Sequence, residues 1–96
     1  MLVVVSYDVS TVDAAGRRRL RRVARVCEDF GQRVQNSVFE CIVDPQQWAL
    51  LKDRLLREFD PGQDSLRFYY LGANYDRRIE HHGTKDVPDL TDPLIL

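Results

Sequence analysis

The first apolar segment, Leu2-Val3-Val4-Val5, does not alternate with polar residues. A strand with one face in water alternates, so an unbroken, largely β-branched run predicts a strand covered on both faces and central in its sheet. The run continues through Ser6-Tyr7-Asp8-Val9, and Asp8 falls where that strand leaves the sheet, ahead of the turn formers Ser10 and Thr11. The period then changes. Leu20, Val23, Ala24, Cys27 and Phe30 recur at helical spacing, with Arg18, Arg21, Arg22 and Arg25 on the opposite side. Ser10 or Thr11 is expected to cap this helix, Asp13 to sit in its first turn, and Gly31 to end it as the residue after the C-cap. Arg33 to Val43 is rich in β-formers but long for one strand, so Gln35-Asn36-Ser37 is expected to divide it by a turn or bulge. Asp44, Pro45 and Gln47 spell a capping box with proline at the first helical position. Trp48, Leu51, Leu55 and Phe59 give that second helix its apolar face, and Asp60-Pro61-Gly62 stops it. Trp48 is in register with the leucines, which points to the core rather than to a base-stacking platform. Ser65 to Leu71 alternates and reads as a strand, and Ile79 to His82 as a short fifth one.

The resulting order is strand, helix, strand, strand, helix, strand. This is the α+β, ferredoxin-like βαββαβ pattern, a two-layer sandwich. Both helices of such a fold lie on one face of an antiparallel sheet, and the other face is bare. A first strand that is apolar on both sides conflicts with a bare face. A second copy of the chain packed sheet to sheet removes the conflict, so a homodimer is expected. The domain is expected over residues 1–83. Residues 84–96 carry two prolines and three aspartates, read as a mobile tail, and end in Leu94-Ile95-Leu96, an apolar tip suited to a partner's sheet edge.

Charge changes the picture more than composition does. The net charge is −1, yet twelve of the fourteen basic residues are arginine and six of these lie between Arg17 and Arg25. The run has almost no acidic partners at helical spacing. Like charges held on one face repel, which points to a polyanion that neutralises them, with a plain solvated face as the alternative. Arginine grips phosphate bidentately, and nucleic acid is the matching partner. Cys27 and Cys41 have no metal-type spacing and read as buried, reduced thiols in a cytoplasmic protein. No segment is long enough to span a membrane, and the N-terminus lacks a basic leader region. His81 and His82, adjacent on a strand, point to opposite faces and do not converge on one ion. Asp8 has two readings: a cap of the turn after the strand, or a rigidly held carboxylate for a ligand or metal.

Four pieces together resemble a known family. They are Val5-Ser6-Tyr7-Asp8-Val9, the basic helix Arg17 to Arg25, the stretch Phe30-Gly31-Gln32-Arg33-Val34-Gln35-Asn36-Ser37-Val38-Phe39-Glu40, and Asp64-Ser65-Leu66-Arg67-Phe68-Tyr69-Tyr70-Leu71. The chain is similar to the CRISPR-associated protein 2 family, the small subunit of the spacer-acquisition machinery. The resemblance implies a ferredoxin-like homodimer in which Asp8 and its symmetry mate hold one magnesium ion. It implies a metal-dependent endonuclease, chiefly on single-stranded RNA and in some members on duplex DNA. It also implies a bridge between two integrase dimers that capture spacer DNA. Asp8 takes the family's metal and catalytic position, with Tyr7 beside it. Arg33, Phe39 and Arg22 match positions linked to activity, and Arg18 and Arg25 share the basic face with Arg22.

The physical chemistry of the residues permits this. Magnesium keeps several waters and needs only one or two carboxylates, which a two-fold axis through Asp8 supplies. The chain offers no obvious second catalytic residue. An alternative therefore stands: a non-catalytic nucleic-acid-binding adaptor that bridges integrase dimers. A small-molecule regulatory module is the weaker third reading, for no Gly-rich or polar ligand loop is present. The residues leave RNA and DNA equally open as substrate.

Overall fold

The structure is a computed structural model and describes residues 1–83. The expected tail over 84–96, with its Leu94-Ile95-Leu96 tip, lies outside the described residues. The elements run β1 (Leu2–Asp8), α1 (Ala14–Glu28), β2 (Gln32–Gln35), β3 (Val38–Ile42), α2 (Pro45–Glu58) and β4 (Ser65–Gly72). One antiparallel sheet forms in the order β2-β3-β1-β4, so the expected βαββαβ sandwich is present and β1 is an interior strand. Its apolar run explains the position: a strand between two neighbours has every ladder hydrogen bond used and is best filled by β-branched residues.

Both helices pack on one face. Val3, Val5 and Tyr7 of β1 and Phe39 and Cys41 of β3 meet Val23, Val26 and Cys27 of α1 and Leu51 and Leu55 of α2. Phe39 is fully buried, and removing such a side chain from water stabilises the fold by about 2–3 kcal/mol. Trp48 sets its edge against Phe68 and Tyr70, with ring centroids 4.9 and 5.6 Å away, as expected of a core residue. The other face carries no helix among the described residues and is called the uncovered face below, although Leu2 at its edge is buried. Val4 and Ser6 alternate with the buried residues of β1 and are only half-buried there, so the described residues cover β1 fully on the helix side and only in part on the other.

Several local expectations are confirmed. Asp44 and Gln47 form the reciprocal capping box, at 2.7 and 2.9 Å, with Pro45 opening α2. The chain turns at Asn36-Ser37, and the β2–β3 register shifts between Arg33 and Gln35.

Three expectations need correction. The cap of α1 is Asp13, whose side chain accepts from the Gly16 N–H at 2.8 Å, not Ser10 or Thr11. Ser10 is engaged elsewhere, its N–H donating to Asp64, and its carbonyl lies so close to Gly16 that a β-carbon there would overlap it. Gly31 is not in a left-handed conformation, and α1 is capped by Asp29. Glycine is required there because a β-carbon would collide with the Cys41 sulfur and the Glu40 carbonyl. The short fifth strand over Ile79 to His82 does not form among the described residues. A 3₁₀ turn, Tyr75–Arg78, follows β4, and Ile79 to His82 then line a cavity of about 410 Å³ with Val34, Gln35 and Glu40. β2 and β3 lie at the far side of the sheet from β4. The segment has thus crossed the uncovered face, and a chain lying over a face cannot join the ladder of its edge.

Candidate carboxylate site and nucleic-acid interface

Asp8 ends β1, pairs in register with Ser65 and is exposed on the uncovered face. Val3, Val5 and Tyr7 point to the helices, so the alternation of the strand sends Ser6 and Asp8 the other way. A cavity of about 300 Å³ opens there, lined by Ser6, Asp8, Ser65, Arg67 and Tyr69 among others. Asp8 has no ion-pair partner among the described residues. Arg67 stands opposite Ser6. Its Nη1 donates to the Tyr69 hydroxyl at 3.2 Å, and its guanidinium lies 6.0 Å above the Tyr69 ring centroid.

The strand end that carries Asp8 is anchored from below by Asp64. This carboxylate is wholly out of solvent and accepts from Arg19 Nε at 2.8 Å, Arg19 Nη2 at 3.2 Å, Ser10 N–H at 3.0 Å and Asp60 N–H at 2.8 Å. The hydrogen bond from Arg19, followed by those from the Asp60 and Ser10 backbone, outweighs burial and holds its pKa down at about 2. One buried group thereby ties α1, the exit of β1 and the turn before β4 together.

Tyr7, Phe39 and Arg33 lie on the helix-covered side of the sheet. Tyr7 and Phe39 are buried and stack with centroids 6.2 Å apart. The Tyr7 hydroxyl donates to the Asn36 carbonyl at 3.4 Å, and burial raises its pKa. Arg33 covers the Phe39 ring at 5.1 Å and pairs with Glu28 at 3.4 Å, both partly exposed. Phe39 is therefore a core residue and reaches no ligand without unpacking.

Arg18, Arg21, Arg22 and Arg25 line an open cleft of about 220 Å³ on the outer face of α1. None of the four has an ion pair among the described residues. The ridge lies on the far side of the helical layer from Asp8. The structure thus divides the sequence-derived site residues into three places: Asp8 on the uncovered face, Tyr7, Phe39 and Arg33 on the covered one, and the arginines on the outer helix surface.

Two pairs escaped the sequence reading. Arg19 and Asp64 left a faint signal, since Arg19 leads the buried row Val23 and Val26 at helical spacing and an arginine on an apolar row needs a partner. Arg67 and Tyr69 left one too: they alternate on β4 with Leu66 and Phe68, which pack on the core, so they belong to the other face.

The donors around Asp8 are hard oxygens, one carboxylate with the Ser6 and Ser65 hydroxyls nearby, and suit magnesium rather than a softer metal. Among the described residues no three His, Cys, Asp or Glu side chains gather to hold a metal ion. One carboxylate is a sparse donor set for such an ion. His81 and His82 are exposed, and His82 contacts Glu80. Cys27 and Cys41 are free thiols whose pKa burial pushes up to about 12. No helix of the described residues is long and apolar enough to cross a membrane.

The profile of the family described as CRISPR associated protein Cas2 matches residues 1–79. A protein of Nitratidesulfovibrio vulgaris, named CRISPR-associated endoribonuclease Cas2, is 62% identical over all of this chain and 94% of its own length. A protein of Halalkalibacterium halodurans, named CRISPR-associated endonuclease Cas2, is 55% identical over the full length of both. The crystal structure of Streptococcus pyogenes Cas2 superposes with a TM-score of 0.76 at 55% identity, covering 86% of this chain and all of that one.

Proposed function

The chain belongs to the CRISPR-associated Cas2 family, and from that premise we propose that it is a magnesium-dependent endonuclease of CRISPR adaptation, working as a homodimer. The observation that carries this reading is Asp8: an exposed carboxylate, unpaired among the described residues, on a rigid interior strand and opening into a polar cavity on the uncovered sheet face. The names of the relatives support a nuclease, on RNA for one and without a stated nucleic acid for the other.

The uncovered face supports the dimer. Val4, Val38 and Ile42 lie half-buried on it, and a second copy packed there would bury them and bring the second Asp8 that the donor set lacks. Asp8 from both copies would hold magnesium, with the Ser6 and Ser65 hydroxyls close by. When bound, the ion supplies Lewis acidity toward a phosphodiester. The chain's own contribution is placement. Asp64 fixes the strand end, so Asp8 meets the substrate without reorganising. Arg18, Arg22 and Arg25 bind the phosphate backbone at a distance from Asp8, with Arg33 at the sheet edge. Single-stranded RNA is the first substrate to try and duplex DNA the second. The free thiols suit a reducing, cytoplasmic setting.

Asp8→Asn should lower cleavage of RNA and DNA about 10²–10³-fold while leaving nucleic-acid binding intact. Cleavage by this variant at the wild-type rate would defeat the reading. The second reading, an adaptor that bridges integrase dimers, is favoured by the unpaired arginine ridge, which is built for backbone contact and lies away from Asp8. Spacer capture by Asp8→Asn in the presence of the integrase separates the two: capture without cleavage makes the chemistry dispensable.

A further inference from the structure

The cavity at Asp8 contains two opposite charges that do not pair. Asp8 has no ion-pair partner among the described residues, and Arg67, at the next position of the same face on the adjacent strand, does not turn to it. Arg67 leans instead on Tyr69, hydrogen-bonded to its hydroxyl and lying over its ring. Tyr69 brings no carboxylate, and Arg67 has no ion pair among the described residues. Tyr69 also accepts from only one of the five N–H donors of the fork. The remaining donors are free for an anion, and a guanidinium held over a ring loses less freedom on binding one. At about 300 Å³ the cavity has room for a phosphate and several waters, each of which takes about 30 Å³ in the liquid.

We infer that Arg67, oriented by Tyr69, is the phosphate-holding residue of the Asp8 site and grips the phosphodiester that is cut. The inference rests on the nuclease reading for the word cut, but not for the phosphate contact. It divides the labour of the cavity. Asp8 takes the cation, Arg67 takes the anion, and Tyr69 keeps Arg67 from neutralising Asp8. It also assigns the binding of the reacting phosphate to the uncovered face, separately from the backbone contacts of the α1 ridge. A direct ion pair between Arg67 and Asp8 would close the site to both.

The test compares Arg67→Ala, Arg67→Lys, Tyr69→Phe and Asp8→Asn in the full chain. Cleavage of single-stranded RNA is measured with magnesium, binding of a short single-stranded RNA in EDTA, and mass by sedimentation. Arg67→Ala should lower kcat about 10²-fold, the loss typical of one charged or oriented donor at a reacting phosphate. Binding in EDTA should weaken about tenfold, with the mass unchanged. Arg67→Lys should recover binding better than kcat, because a point charge replaces the fork. Tyr69→Phe should lower kcat less than Arg67→Ala does. Unchanged cleavage and binding in Arg67→Ala would overturn the inference. Dissociation of the wild-type oligomer by Arg67→Ala, restored by Arg67→Lys, would also overturn it and make Arg67 an interface residue. Wild-type cleavage by Asp8→Asn, with binding in EDTA still dependent on Arg67, would sink the assignment of the chemistry to Asp8 and leave the phosphate site standing.

Discussion

On the helix side of β1, Val3, Val5 and Tyr7 are packed out of solvent among Phe39, Cys41, Val23 and Leu51; on its other side, Val4, Ser6 and Asp8 meet no helical layer among the described residues. One strand serves two environments through a period of two residues. Residues on the covered side hold the fold, and those on the uncovered side are free to bind. Tyr7 and Asp8 are neighbours in sequence yet sit on opposite sides of the sheet. A site inferred from a contiguous motif therefore merges positions that do different physical work. The comparison also separates stability from activity: a change on one face should leave the other measurement nearly untouched.

The largest effect should come from the covered face. Phe39→Ala removes a wholly buried ring on which Tyr7 stacks and Arg33 lies, and should cost about 3–5 kcal/mol. Chemical denaturation would read it directly. Phe39→Leu, which keeps most of the volume, should restore both stability and cleavage. If Phe39→Leu folds well and still fails to cleave, the ring itself takes part in the chemistry and the division between faces fails.

The matching change on the uncovered face is Asp8→Asn. Cleavage should fall about 10²–10³-fold, the range found when a key charge-stabilising group is removed. The denaturation midpoint should hold, because Asp8 is exposed and has no ion-pair partner among the described residues. A clear loss of stability would show that Asp8 supports the fold and blur the contrast.

Asp64 belongs to neither face, since it lies at the end of the sheet where both meet the loops. Its pKa is lowered in the fold, from 3.8 to about 2, so its contribution is present above the unfolded value and lost as the pH falls through the folded one. Stability should decline between pH 4 and pH 2 by about 2 kcal/mol on this account. Asp64→Asn should remove that part of the acid dependence and leave Arg19 partly buried without its charge partner. An unaltered acid profile in Asp64→Asn would show that other carboxylates govern acid unfolding.

The outer helix surface gives a smaller, salt-dependent effect. If a dimer neutralises ~6 phosphates, log K should fall with log salt at a slope near −5, and Arg18→Ala with Arg22→Ala should bring it to about −2. An unchanged slope would mean that the ridge faces water when nucleic acid binds.

The order of elements was legible because each carried its own signal: the unbroken run of β1, the helical rows ending at Phe30 and Phe59, and the capping box at Asp44. The errors lie where tertiary contacts decide. Ser10 and Thr11 are good caps by type, but Ser10 is claimed by Asp64, a residue 54 positions away. Gly31 looked like a helix terminator and is instead the point where β3 passes close. The segment Ile79 to His82 reads as a short strand, though strand formation needs a free edge and the segment lies over a face. Asp8 was legible as a candidate because it ends an apolar run. Arg67 was not, because its significance comes from facing the same cavity as Asp8, 59 positions earlier in the chain, and only the register of β1 with β4 brings them together.

Arg33 tests the comparison most finely. The resemblance gives it a nucleic-acid-binding role linked to activity, and it lies on the covered side, over Phe39 and paired with Glu28. The pair is partly exposed on both sides, so it contributes little through charge. The cation–ring contact is worth about 0.5–1 kcal/mol at an exposed position, and Arg33→Ala should destabilise the fold by that amount. Its guanidinium remains accessible at the sheet edge, so nucleic-acid affinity at low salt should weaken modestly. The rate of cleavage by bound enzyme should not change, because the sheet separates Arg33 from Asp8 and its cavity. Single-turnover cleavage at saturating enzyme isolates that rate from binding. A large loss there, with the midpoint of unfolding shifted by no more than the contact is worth, would place a reacting group on the covered side and end the assignment of chemistry to one face alone.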